Sequence, residues 1–188
     1  MKKLALLGST GSIGLNTLDV VREFPQQFRI EALSCRSSIE QLVEQIREFQ
    51  PRIVCVDKDE QVAELRRIFP EKEFVCGMKG LIQISTDPSV NLVVSGIVGA
   101  AGLKPTFSAL KAGKTVAAAN KEPLVMAGEL FMKTAIEAGA KLLPVDSEHN
   151  AIFQALNNEP PESIARLILT ASGGPLRDYQ LNEFEYIT

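Results

Sequence analysis

The chain has 188 residues, 45% of them hydrophobic and 23% charged, enough for one well-cored globular domain and the start of a second. A net charge of −3 gives no electrostatic case for nucleic acid or a membrane surface as partner. No apolar run matches a bilayer span, the charged start Met1-Lys2-Lys3 leads into too short an apolar stretch for a signal peptide, and Cys35, Cys55 and Cys76 form no C-x-x-C pair; a reduced, cytoplasmic setting is expected, with Cys55 packed inside a strand.

Lys3 to Leu7 is a short apolar run that predicts a strand, and it passes directly into Gly8-Ser9-Thr10-Gly11-Ser12-Ile13-Gly14. Ile13 to Glu23 then carries Ile13, Leu15, Leu18, Val20 and Val21 at helical spacing, followed by Phe24 and stopped by Pro25. A second strand is expected over Phe28 to Ser34, and a second helix from Ile39 through Leu42, Val43, Ile46 and Phe49, ended before Pro51. Arg52 to Val56 predicts a third strand and Asp59 to Phe69 a third helix, stopped by Pro70. Asn91 to Ser95 is the next strand, followed by Gly96, Gly99 and Gly102; helix resumes from Pro105 to Ala112 and is closed by Gly113. Thr115 to Ala118, a long helix from Lys121 to Ala138 with Gly139 as its C-cap, and a sixth strand from Lys141 to Val145 complete the alternation.

Strands and helices alternating at these lengths call for an α/β fold built on a doubly wound parallel sheet. After Asp146 the pattern changes: a short helix over Asn150 to Leu156, a loop over 157–161 and a strand over Ala165 to Thr170. Residues 1–146 are accordingly expected to form a Rossmann-like domain, and 147–188 the beginning of a second, α+β domain. Thr188 resembles a helix N-cap with no helix to cap, which points to an incomplete polypeptide.

The glycine run follows a strand and opens a helix, the setting in which backbone N–H groups face a pyrophosphate. Its spacing, G-x-x-G-x-x-G, is a variant of the commoner dinucleotide fingerprint; the alternative is a turn that merely closes a strand–helix connection. At the end of the second strand, where an acid would hydrogen-bond a free ribose 2′-OH, the chain has Arg36-Ser37-Ser38. A guanidinium with two hydroxyls suits a 2′-phosphate, so NADP is favoured over NAD, with Glu31 inside the strand and out of reach. The competing reading makes Arg36 a surface arginine and Ser38 a helix cap.

Three further polar clusters follow predicted strands. Asp146 and Glu148 flank Ser147 and, if the segment is extended, point to one side, where a hard divalent cation such as Mg²⁺ or Mn²⁺ would relieve their repulsion. A solvated turn is the alternative, and His149 beside them reads as a packing or capping histidine. Asn120-Lys121-Glu122 places donor, cation and acceptor at one strand end, or else an N-capping asparagine before a solvated first turn. Ser172-Gly173-Gly174 offers a hydroxyl and N–H groups to a phosphate, or only a turn.

Taken together, residues 8–14, Ala119 to Val125, Pro144 to Ala151 and Ala171 to Pro175 give the chain a close resemblance to the N-terminal part of the 1-deoxy-D-xylulose 5-phosphate reductoisomerase family. The resemblance implies that Thr10, Gly11, Ser12 and Ile13 hold the NADPH diphosphate and that Asn120 and Glu122 touch the nicotinamide half. It implies that Lys121, Ser147, Glu148 and Ser172 contact a sugar phosphate, and that Asp146 and Glu148 ligate a divalent metal acting as Lewis acid on the substrate carbonyl. The implied reaction is a skeletal rearrangement followed by reduction with NADPH to 2-C-methyl-D-erythritol 4-phosphate, in a protein that is a homodimer when full length. Two departures stand out: the family usually has Gly-x-Asn where this chain has Arg36-Ser37-Ser38, and the family's later His-Pro-Asn-Trp loop has no counterpart in a chain with no Trp and one His. The 188 residues are therefore expected to be inactive, or nearly so, by themselves. Outside this class, a stand-alone NADP-binding sensor without catalysis remains open, as does an aspartate-semialdehyde-type dehydrogenase, although the three cysteines fall too early for its nucleophile.

Overall fold

A computed structural model describes residues 1–157, 159–170 and 177–186. The chain divides into two compact units, residues 1–146 and 147–188. In the first, β1 (Lys2–Leu7), α1 (Ser12–Glu23), β2 (Phe28–Ser34), α2 (Ile39–Phe49), β3 (Ile53–Val56), α3 (Asp59–Ile68), β4 (Glu73–Cys76) and α4 (Gly77–Thr86) are followed by β5 (Leu92–Ser95), α5 (Leu103–Lys111), β6 (Thr115–Ala118), α6 (Glu122–Ala138) and β7 (Lys141–Pro144). The seven strands form one parallel sheet in the order β4-β3-β2-β1-β5-β6-β7.

Strand side chains alternate between two separate cores. Leu4 and Leu6 of β1, Ile30 and Leu33 of β2 and Val54 and Val56 of β3 pack with Leu18, Val21, Leu42, Ile46, Val62 and Leu65 of α1, α2 and α3. Ala5, Leu7, Ala32, Ile53, Cys55 and Val93 face the other way, against Ile84 of α4, Ala109 and Leu110 of α5, and Phe131 and Ala135 of α6. Helices covering both faces are what allow an all-parallel sheet to stay dry.

Several sequence-based expectations need correction. The stretch between α3 and β5 holds an edge strand and a helix, β4 and α4, that the residue pattern did not announce. Helix α6 begins one residue later than expected and breaks at Ala127, whose φ of −148° and ψ of 26° are not helical. In the second unit, α7 (Ser147–Ala155) starts before Asn150, and 3-10 turns cover Pro161–Ser163 and Leu181–Tyr186. The strand expected over Ala165 to Thr170 is absent: that segment pairs with no strand among the described residues, and Leu167, Ile168 and Leu169 stand exposed. An apolar run becomes a strand only when a neighbour takes its backbone groups.

Candidate functional site

The strand order reverses its direction of growth between β1 and β5, and the loops leaving these two neighbours turn to opposite faces of the sheet. The crevice so opened beyond the strand C-termini is where open α/β sheets bind ligands. Here a cavity of about 330 Å³ is lined by Gly11, Ser12 and Ile13 after β1, Gly96 and Val98 after β5, Ala119 to Glu122 after β6 and Asp146 after β7. Loops from four strand ends thus share one rim.

The glycine turn is shaped by its packing. Gly8 takes a φ of +82°, which side-chain-bearing residues rarely adopt, and lies against the Gly96 carbonyl. At Gly14 helix α1 presses on the turn itself: a Cβ there would sit 2.4 Å from the carbonyl oxygens of Gly8 and Ser9. Gly11, by contrast, has room for a methyl group and serves as the N-cap of α1 without any side-chain cap. No acidic residue occupies the first turn of α1, and among the described residues no acceptor takes the N–H of Thr10, Ser12 or Ile13. These donors, with the positive end of the helix dipole behind them, make the turn a seat for an anion.

The turn is anchored from the neighbouring strand and helix. Gly8 N–H donates to Ser34 Oγ at 2.9 Å, Ser9 N–H to the Ser34 carbonyl at 2.8 Å, and Thr10 Oγ1 lies 3.3 Å from Cys35 Sγ. Ser9 also exchanges two hydrogen bonds with Gln45 of α2. Residue-by-residue reading overlooked Ser34 and Gln45. The available signal for Gln45 was a polar side chain between Leu42 and Ile46 on the buried stripe of α2.

Arg36, Ser37 and Ser38 follow β2 on the exposed surface, outside the cavity lining, with Gln61 Nε2 donating to the Arg36 carbonyl at 3.0 Å. Ser38 occupies the N-cap position of α2 but makes no side-chain cap hydrogen bond. Glu31 is buried and engaged elsewhere, accepting from Arg52 Nε at 3.0 Å with Lys3 Nζ at 3.9 Å.

On the opposite wall Asn120 is 8% exposed and its amide is fully used. Nδ2 donates to the carbonyls of Ile97 (2.7 Å) and Gly99 (3.0 Å), and Oδ1 accepts from the Glu122 N–H at 3.0 Å. It therefore ties the loop after β5 to the start of α6. Lys121 Nζ stands 3.4 Å from Asp146 Oδ2, the lysine side chain 60% exposed and the aspartate 12%. Asp146 follows β7 on the same rim as the glycine turn. Ser147 and Glu148 open α7 in the second unit, so the two carboxylates do not lie on one extended segment and strand alternation does not relate them. The helix forms because Ser147 to Ala155 includes no breaker. Among the described residues no three His, Cys, Asp or Glu side chains converge as a metal cluster. Ser172 and its glycines lie outside the described residues, as does Thr188.

Comparison with known proteins adds an independent line. The family model for 1-deoxy-D-xylulose 5-phosphate reductoisomerase matches residues 4–128, and the model for that enzyme's C-terminal domain matches 142–188. The chain belongs to the 1-deoxy-D-xylulose 5-phosphate reductoisomerase family. A reductoisomerase of Shouchella clausii is 50% identical over all of this chain, and one of Bacillus cereus (strain AH187) 47%. The chain spans about half the length of these relatives, 50% in each case. A structure of DOX-P reductoisomerase with NADPH, fosmidomycin and magnesium superposes with a TM-score of 0.86 at 40% identity, over 100% of this chain and 49% of that one. The Zymomonas mobilis reductoisomerase with NADPH gives a TM-score of 0.84 at 35% identity, over 100% of this chain and 50% of its own. A homoserine dehydrogenase from Thiobacillus denitrificans, 18% identical with a TM-score of 0.58, shares the fold alone. Within the described residues no helix is long and apolar enough to cross a membrane.

Proposed function

We propose that residues 1–146 are the NADPH-binding domain of a reductoisomerase acting on 1-deoxy-D-xylulose 5-phosphate, and that 147–188 begin its catalytic domain. The observation that carries this reading is the shared rim: unpartnered N–H groups of the glycine turn and the Lys121–Asp146 pair line one cavity. The residues present fit the dinucleotide. Thr10, Ser12 and Ile13 offer N–H donors to the diphosphate with Gly11 at the helix cap, and Gly8 and Gly14 let backbone and helix close in around it. Arg36, Ser37 and Ser38 face solvent beside the turn, available to a 2′-phosphate, while Glu31 is held by Arg52. Bound NADPH supplies the hydride.

Around it, Asn120 holds the loop bearing Val98 in place, and Glu122 lines the same cavity; both are assigned to the nicotinamide half. On the family resemblance, Lys121 is assigned to the sugar phosphate, and Ser147, Glu148 and Ser172 are each assigned to substrate as well. Asp146 and Glu148 are oxygen donors suited to Mg²⁺ or Mn²⁺. The cofactor is NADPH, the partner a small phosphorylated sugar, and the full-length protein a cytoplasmic homodimer.

Calorimetric titration of the chain tests the cofactor reading. NADPH should bind more tightly than NADH, by about tenfold for one charge-assisted interaction, and Arg36→Ala should remove that difference. Equal affinities in the unsubstituted chain would refute the role given to Arg36. Mn²⁺ binding followed by electron paramagnetic resonance should weaken about tenfold in Asp146→Asn while NADPH binding holds. An unchanged metal affinity would remove Asp146 from the site.

A further inference from the structure

Gln45 is 4% exposed on the inner stripe of α2, and its side-chain amide is committed to a single residue of the glycine turn. Its Nε2 donates to the Ser9 carbonyl at 3.0 Å, and its Oε1 accepts from Ser9 Oγ at 2.6 Å. Ser9 itself is wholly buried, and its N–H donates to the Ser34 carbonyl. In a trans peptide C=O and N–H point in opposite directions, so a Ser9 carbonyl held toward the core turns the Thr10 N–H outward. Among the described residues that N–H has no acceptor. An apolar side chain between Leu42 and Ile46 would fill the space without burying an amide, whereas the amide fixes the orientation of one peptide plane.

We propose that Gln45 is a positioning residue for the diphosphate of the dinucleotide, acting through Ser9 to aim the Thr10 N–H at the anion. This rests on the reading of the turn as the NADPH seat. Ser34 anchors the preceding peptide, Gly8–Ser9, from the strand side, so Ser34 and Gln45 hold Ser9 through its N–H and its carbonyl while the next residue is left to the ligand.

The test uses the 188-residue chain with Gln45→Met, titrated with NADPH and separately with adenosine 2′-monophosphate, which has no diphosphate. Expected is a loss of NADPH affinity of about tenfold, the size of one well-placed hydrogen bond to a charge, with adenosine 2′-monophosphate binding unchanged within about twofold. Should that variant not fold, Ser9→Ala removes one of the two bonds and keeps the peptide; about a threefold loss confined to NADPH is expected. NADPH affinity that holds in the folded variant overturns the proposal, and so does an equal loss for both ligands, which would mark a general loosening of the fold. An unsubstituted chain that binds neither ligand would instead defeat the NADPH reading, and the proposal with it.

Discussion

Replacing Gly14 by alanine probes the tightest packing in the glycine turn. The added Cβ would lie 2.4 Å from the Gly8 and Ser9 carbonyl oxygens and 2.5 Å from the Ser9 carbonyl carbon. All three are backbone atoms, and ordinary contact begins near 3.4 Å, so α1 must retreat by about 1 Å. Overpacking against rigid neighbours costs about 3 kcal/mol, at the upper end of the usual range, and the better helix propensity of alanine returns about 1 kcal/mol. The net of about 2 kcal/mol corresponds to a fall of about 4–8 °C in Tm for a chain of this size. Because the N–H groups of Ser12 and Ile13 travel with the helix, NADPH affinity should drop at least tenfold, a charge-assisted hydrogen bond being worth about 1.5–3 kcal/mol. Gly128→Ala is the matched control: a Cβ there meets nothing within 4 Å, and the substitution should stabilise by about 0.4–1 kcal/mol. Thermal unfolding by circular dichroism and NADPH titration would read both variants. A Gly14→Ala chain that melts at or above the parent temperature with undiminished affinity would refute the steric argument.

The acid limb of stability and the cysteine chemistry give two further expectations. Burial alone would raise the Asp87 carboxyl, but the Ser89 hydroxyl and N–H, then Arg52, together hold it below its ordinary value of 3.8. A depressed folded pKa means a contribution present above that ordinary value and lost as pH falls through the folded one. Ser89→Ala should therefore lower the unfolding free energy measured in urea by about 1 kcal/mol near neutrality and flatten its fall below about pH 4; parallel curves would contradict this. Burial, with smaller effects from Cys76 and Asp57, pushes the Cys55 thiol up to about 12. Iodoacetamide at pH 8 should leave Cys55 unmodified in the native chain and modify it in urea, and native labelling at the rate of a free thiol would show that the residue is not buried as described.

How much could be read from residues alone is clear from neighbouring elements. Strand β2 and helix α2 have the expected limits because their apolar spacing is regular and Pro51 closes the helix. Helix α4 escaped notice because its buried positions are Gly80, Ile84 and Ser85, which set no apolar rhythm. Gly80 is there to approach Cys55 Sγ and Val75 closely, a requirement visible only once β3 and β4 are side by side. Residues 165–170 erred in the other direction, apolar enough for a strand but without a partner among the described residues. Of the cavity lining, Gly11 to Ile13, Asn120 to Glu122 and Asp146 were legible as polar or flexible groups following strands. The roles of Gln45 and Asn120 as clamps were not, since each bonds to a segment more than 20 residues away.

Periodicity, breakers and motif spacing by themselves determined that this chain alternates strand and helix, where most of those elements lie, and that a glycine-rich turn opens the first helix, because these depend on contacts within a few residues. Tertiary structure alone decided the strand order that sets β1 beside β5, and hence that residues from 11 to 146 line one cavity. That order follows from which faces bury against which helices, a property of the assembled sheet that no local stretch of chain encodes.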